Sequence, residues 1–187
     1  MKSLELEGEQ HPLLKMLHTK IPGKKFFADT YEGLAAEAYE KDILQARATY
    51  YGLMTEIDYH LGRVISYLKK TGQYESTLIV FTSDHGEQLG DHYLFGKAGY
   101  FDASYAIPLI IRNPEIYDST TGKSSTADNQ VEVFTEAIDV MPTILDWLDL
   151  EIPQELDGRS LLPLLNGNVP DNWRKEAHWE YDFREIG

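Results

Sequence analysis

Cysteine is absent from this chain of 187 residues. Disulfides, thiolate nucleophiles, Cys-ligated zinc and iron–sulfur clusters are therefore excluded within it. Positive charge is also scarce: 17 Lys and Arg stand against 31 Asp and Glu, a formal net charge of −14. From Asp128 to Gly187 there are 14 acids and only 4 bases. A phosphate backbone is bound by clustered Lys and Arg, so nucleic acid is not an expected partner. Any anionic substrate must be held by a few local cations or a metal, not by a broad positive field. No run approaches the roughly 20 apolar residues of a membrane span, so no membrane partner is expected. The start, Met1-Lys2-Ser3-Leu4-Glu5, lacks the apolar stretch of a secretory signal. No Asn-x-Ser/Thr sequon occurs. These features together predict a soluble, cytoplasmic protein.

What is present is ordinary for a globular domain, with 42% hydrophobic and 26% charged residues. Residues 1–30, with Pro12, Pro22 and Gly23, read as an irregular lead-in; residues 31–187 read as one domain. Between Ala35 and Lys70, the residues Ile43, Ala46, Tyr50, Leu53, Met54, Ile57, Leu61, Val64, Ile65 and Leu68 recur at steps of three and four. That spacing predicts a long amphipathic helix whose stripe packs into a core, with a coiled coil as the rival reading. Gly52 and Gly62 inside it predict close packing, and Lys69-Lys70-Thr71-Gly72 predicts its stop. Thr77–Thr82 and Ile107–Arg112 are continuous apolar runs, the pattern of strands buried on both faces of a mostly parallel sheet. Residues 117–130 read as a polar loop, Val131–Val133 and His178–Phe183 as short strands, and Asp139–Leu150 as a second helix. Helices alternating with buried strands define an α/β class.

Ligands of open α/β sheets gather beyond the carboxyl ends of strands, where Ser83-Asp84-His85-Gly86 falls. Adjacent Asp84 and His85 offer a hard oxygen and an imidazole nitrogen, a pair suited to Mn²⁺, Zn²⁺ or Fe²⁺ and less well to Ca²⁺. Asp84 is equally suited to cap a helix, with Glu87 as its capping-box partner. Lys97, flanked by Gly96 and Gly99, has the position to clamp the oxygens of a tetrahedral anion; the rival reading is a solvated surface lysine. Asp91 and His92 read either as a second metal pair or as a loop-stabilising hydrogen bond.

The string Thr82-Ser83-Asp84-His85-Gly86-Glu87, then Leu89-Gly90-Asp91-His92, Gly96-Lys97 and Ile107-Pro108-Leu109-Ile110 resembles the C-terminal part of a sulfatase-family catalytic domain. The likeness is greatest to the phosphonate monoester hydrolase and phosphodiesterase branch of the alkaline phosphatase superfamily. Gly62-Arg63, Asp139-Val140-Met141-Pro142-Thr143, Asp157-Gly158-Arg159-Ser160-Leu161-Leu162-Pro163 and Trp179-Glu180-Tyr181-Asp182-Phe183 extend it across about residues 31–186. The resemblance implies a sulfatase-like, mostly parallel sheet flanked by helices, present here as a partial domain over 31–187. It implies that Asp84 and His85 ligate a divalent metal (Mn, Ca or Zn) and that Lys97 contacts the substrate anion and the nucleophile. It carries no firm role for His92, which is assigned to the shell around the metal ligands.

The family's nucleophile is a formylglycine made from the Cys or Ser of a Cys/Ser-x-Pro-x-Arg motif, and this sequence contains neither form of the motif. The family's first metal-ligating aspartate and its leaving-group histidine have no matching positions either. The expectation is therefore a fragment of a metal-dependent hydrolase of sulfate esters, phosphonate monoesters or phosphodiesters, inactive alone and homo-oligomeric when complete. Its substrate would be a small anionic ester. Two rivals are a phosphatase-like relative with a Ser or Thr nucleophile, and a non-catalytic oligomerisation or binding remnant of the same fold.

Overall fold

The computed structural model describes residues 11–27, 31–114, 130–180 and the short strands at 117–118 and 123–124. They divide into two compact units, one built from Met1–Tyr67, Ser83–Pro108 and Glu180–Gly187, the other from Leu68–Thr82 and Leu109–Trp179.

The first unit opens with α1 (Pro12–Lys20), where an irregular lead-in is expected from the prolines. Pro12 stands at the start, where its missing N–H is no loss, and His11 Nδ1 accepts from Leu13 N at 3.3 Å. Leu14 and Leu17, one turn apart, are buried with Leu94 and Ala98. Burial of this one face outweighs the helix's weak local signals. A second cluster joins Ala35, Ile43 and Phe95, with Phe26 stacked on Phe95 at a ring separation of 5.3 Å. The expected long helix is α2 (Glu40–Lys70), with Glu40 and Asp42 in its first turn and Lys69 and Lys70 in its last, matching the helix dipole.

Its stripe does not form a core. Only Ile43 is buried, while Leu53, Met54, Ile57 and Val64 are each more than half exposed. Gly52 and Gly62, expected at close contacts, face open space: a Cβ at either would meet nothing within 4 Å. The 3.6-residue period thus fixed the helix and its apolar side, but beyond Ile43 and Ala46 that side is left largely uncovered by the described residues.

In the second unit, β1 (Ile79–Thr82) pairs with β2 (Leu109–Arg112). The pairing is antiparallel, with Val80 opposite Ile111 and Phe81 opposite Ile110. Both strands fall where the apolar runs place them. Yet this pair is a two-stranded ribbon, not part of a parallel layer, and Ile110 is 64% exposed. A continuous apolar run reports burial on two faces only when further strands and helices cover them. A second small ribbon, β3 (Tyr117–Asp118) with β4 (Lys123–Ser124), occupies part of the segment expected to be loop. Val131–Val133 is irregular, as are residues 178–180; the rest of the expected final strand lies outside the described residues. The second expected helix is α4 (Val140–Trp147). Between α2 and it lies α3 (Asp102–Tyr105), in the first unit, and α5 (Leu162–Leu165) follows. Among the described residues no helix is long and apolar enough to cross a membrane.

Asp139 organises the second unit. Its side chain is fully buried and accepts from Arg174 Nη2 at 2.6 Å, Arg174 Nη1 at 2.9 Å, and the backbone N–H groups of Arg159 and Glu136, each at 2.8 Å. Glu136 completes the pairing with Arg174. Thr143 Oγ donates to Asp139 O at 2.6 Å and accepts from Leu161 N at 2.9 Å, which ties α4 to the Leu161–Leu164–Trp173 core. Gly158 is required here because a Cβ would lie 2.0 Å from the Ile138 carbonyl oxygen.

Removing one member of a buried, hydrogen-bonded ion pair leaves the other uncompensated, so Asp139→Ala is expected to cost about 3–5 kcal/mol, read as a lower urea midpoint. The uncovered side of α2 is expected to bind the dye ANS. Leu53→Glu with Ile57→Glu should lower that fluorescence and leave the circular dichroism of the helix unchanged.

Candidate active site

Thr82 ends β1, and the chain passes directly into a loop, Ser83–Phe101, with an unusual density of left-handed backbone. Leu89, His92 and Tyr93 have φ of 50°, 52° and 59°. For non-glycine residues this conformation costs on the order of 1–2 kcal/mol each, and such strain is retained only where surrounding contacts over-determine it. The contacts are present. Arg47 of α2 donates from Nε to Leu89 O and from Nη2 to Asp91 Oδ1, both at 2.8 Å. His18 Nε2 lies 2.8 Å from His92 O; a carbonyl only accepts, so the ring donates from that nitrogen.

At the start of the loop, Ser83 Oγ donates to His85 O at 2.7 Å. His85 Nδ1 lies 2.7 Å from Gly86 O. Since that oxygen can only accept, Nδ1 carries the proton, and in the neutral ring the lone pair resides on Nε2. Nε2 faces Asp84 Oδ2 at 3.6 Å. Two ligands held about 2.0–2.2 Å from one tetrahedral ion are about 3.3–3.6 Å apart, so the pair fits a shared cation. The Asp84 side chain is 85% exposed and that of His85 38%, leaving both open to solvent. Among the described residues no group of three or more His, Asp or Glu side chains converges on a metal position. The pair alone therefore supplies two ligands of the four to six that divalent ions take.

Gly86 stands where two stretches of main chain meet closely. Its φ is not left-handed; instead, a Cβ would lie 2.0 Å from the Ala103 carbonyl oxygen. The helix-cap reading of Asp84 fails because no helix begins at the residues directly after it, 85–88 being irregular. Glu87 instead folds back over the loop, its Oε1 accepting from Leu89 N at 3.0 Å and Gly96 N at 2.7 Å.

Lys97 is exposed, between Gly96 and the buried Ala98, in the same loop as the pair. His92 stacks on Phe101, with ring centroids 3.8 Å apart and planes 6° from parallel. Asp91 is engaged by Arg47. Sequence reasoning missed Arg47, Gln88 and Ser104. Each acts across a long sequence gap, and no local pattern distinguishes such a residue.

The candidate site is thus a polar loop following β1, with an exposed carboxylate–imidazole pair and a glycine-bracketed lysine. Comparison with known proteins makes this specific. The family model described as Sulfatase matches residues 7–150. The multifunctional alkaline phosphatase superfamily protein PehA of Trinickia caryophylli is 51% identical over 97% of this chain and 34% of its own length. An arylsulfatase of Clostridium perfringens is 34% identical over 78% of this chain and 29% of its own. Among solved structures, the phosphonate monoester hydrolase SpPMH from Silicibacter pomeroyi superposes with a TM-score of 0.80 at 43% identity, over 93% of this chain and 32% of that one. The chain belongs to the sulfatase family, with the sulfatase fold, and spans about a third of the length of these relatives.

Gly86→Ala should force the Ala103 backbone away, with a loss of about 1–3 kcal/mol typical of overpacking. Urea denaturation measures it, and an unchanged midpoint would contradict the close approach.

Proposed function

We propose that this chain supplies two metal ligands and an anion-contacting lysine to a metal-dependent hydrolase of sulfate esters, phosphonate monoesters or phosphodiesters. The observation that carries the reading is the 3.6 Å approach of His85 Nε2 to Asp84 Oδ2 with the His85 proton held on Nδ1. The names of the similar proteins, an arylsulfatase and a phosphonate monoester hydrolase, support the substrate classes. The donor set, one carboxylate and one imidazole, suits Mn²⁺ or Zn²⁺, with Ca²⁺ a poorer match to the nitrogen.

Asp84 and His85 hold the ion. The hydrogen bond from His85 Nδ1 to Gly86 O fixes the ring's tautomer and orientation, as the outer hydrogen bond of a metal-bound histidine commonly does. The bound ion supplies Lewis-acid stabilisation of ester oxygens. Lys97 offsets the charge that develops on the non-bridging oxygens of sulfur or phosphorus. His92, stacked on Phe101, belongs to the surrounding shell. The nucleophile, a formylglycine by family resemblance, and the remaining ligands come from residues outside this chain. The complete enzyme is a homo-oligomer in this reading.

With two ligands, Mn²⁺ binding by the 187-residue chain is expected to be weak, and Asp84→Asn or His85→Ala should abolish it, as followed by the electron paramagnetic resonance signal of free Mn²⁺. Affinity unaffected by either substitution would sink the ligand assignment. Metal-dependent turnover of an aryl sulfate or aryl phosphate diester by the pure chain would refute its inactivity.

A further inference from the structure

Two arms of the site loop carry the chemistry assigned above: residues 84–88 hold the Asp84–His85 pair, and residues 96–99 hold Lys97. The arms are joined by a buried polar triangle. Gln88 Nε2 donates to Ser104 Oγ at 2.7 Å and to Ala98 O at 3.3 Å, and Ser104 Oγ donates to Ala98 O at 3.4 Å. Gln88 and Ser104 are each only 1% exposed. The Ser104 main chain reaches the other arm, its carbonyl accepting from Gly86 N at 2.8 Å. A further bond, Gln88 N to Gly96 O at 3.0 Å, closes the ring. Ser104 thus touches the neighbour of His85 with its backbone and the neighbour of Lys97 with its side chain.

Among the described residues Gln88 Oε1 is buried with no hydrogen-bond partner, a loss on the order of 1–3 kcal/mol that an apolar side chain of similar size would avoid. Directional bonds hold one geometry where apolar contacts would allow several. A long, flexible, exposed lysine gains from having its backbone fixed in this way.

We propose that Gln88 and Ser104 are positioning residues that hold the Lys97 arm against the Asp84–His85 arm, so that cation and ammonium face one anion. The proposal rests on the metal-and-anion reading for its purpose, but its geometric core is testable without metal. In metal-free protein, ¹⁵N relaxation of Gly96, Lys97 and Ala98 should give rigid order parameters near about 0.85, falling below about 0.6 in Gln88→Met and in Ser104→Ala. Ser104→Thr, which keeps the hydroxyl, should restore rigidity. Order parameters unchanged in both loss variants overturn the proposal.

The second readout is inorganic phosphate binding to Mn²⁺-loaded protein, followed by ³¹P relaxation. Ser104→Ala should weaken phosphate about 10-fold or more without altering Mn²⁺ affinity. Lys97→Ala should weaken it similarly, and the double variant should be no weaker than either single one, since Ser104 acts through Lys97. Additive losses, or a parallel loss of Mn²⁺ affinity, would mark Ser104 as merely structural and defeat the proposal. Absence of Mn²⁺ binding in the wild-type chain would count against the ligand assignment, and the relaxation data would then decide the positioning role alone.

Discussion

Gly86 packs its main chain against that of Ala103 and Ser104 so closely that a single added carbon would lie 2.0 Å from a carbonyl oxygen. The geometry of the site loop follows from that contact. It brings the Gly86 N–H to the Ser104 carbonyl and sets His85 immediately before a pinned residue. From the same serine, the side-chain triangle reaches back to Ala98 beside Lys97. The left-handed residues Leu89, His92 and Tyr93 are the strain accepted to fold the intervening chain into so small a space. Arg47 and His18, from two helices, hold it there.

The second unit uses the same device for a different end. Gly158 meets the Ile138 carbonyl as closely as Gly86 meets Ala103, and the next residue, Arg159, gives its N–H to buried Asp139. Here the close approach serves a carboxylate already neutralised by Arg174 and screened from water. It therefore stabilises the unit and offers no group to a ligand. Asp84, with its side chain 85% exposed, is the opposite case. Burial and pairing, not residue type, separate the structural Asp139 from Asp84, the proposed ligand.

The uncovered apolar side of α2 and the half-exposed ribbon of β1 and β2 stand beside another fact: these residues correspond to about a third of the similar solved chains. The amino-acid pattern is that of interior elements. Leu53, Ile57 and Val64 keep helical spacing, and Ile79 to Phe81 are apolar without alternation. Patterning records the environment for which a segment is suited, whereas exposure records what is present to cover it.

Several features were legible in the sequence because they depend on neighbours along the chain. The period of α2, the strand runs at 79–82 and 109–112, the helix after Asp139, and the Asp84–His85 pair with Lys97 twelve residues later are all local patterns. Helix α1 was hidden because Leu14 and Leu17 gain their burial from Leu94 and Ala98, far along the chain. The antiparallel sense of the β1–β2 pair was hidden because apolar runs carry no direction. Asp139 read as the first residue of a helix, and only folding revealed the arginine that pairs with it. Sequence by itself determined which groups are chemically capable. Tertiary structure decided which of them meet, because the contacts that fix the site, such as Gln88 to Ser104 and Arg47 to Asp91, span 16 and 44 residues of chain.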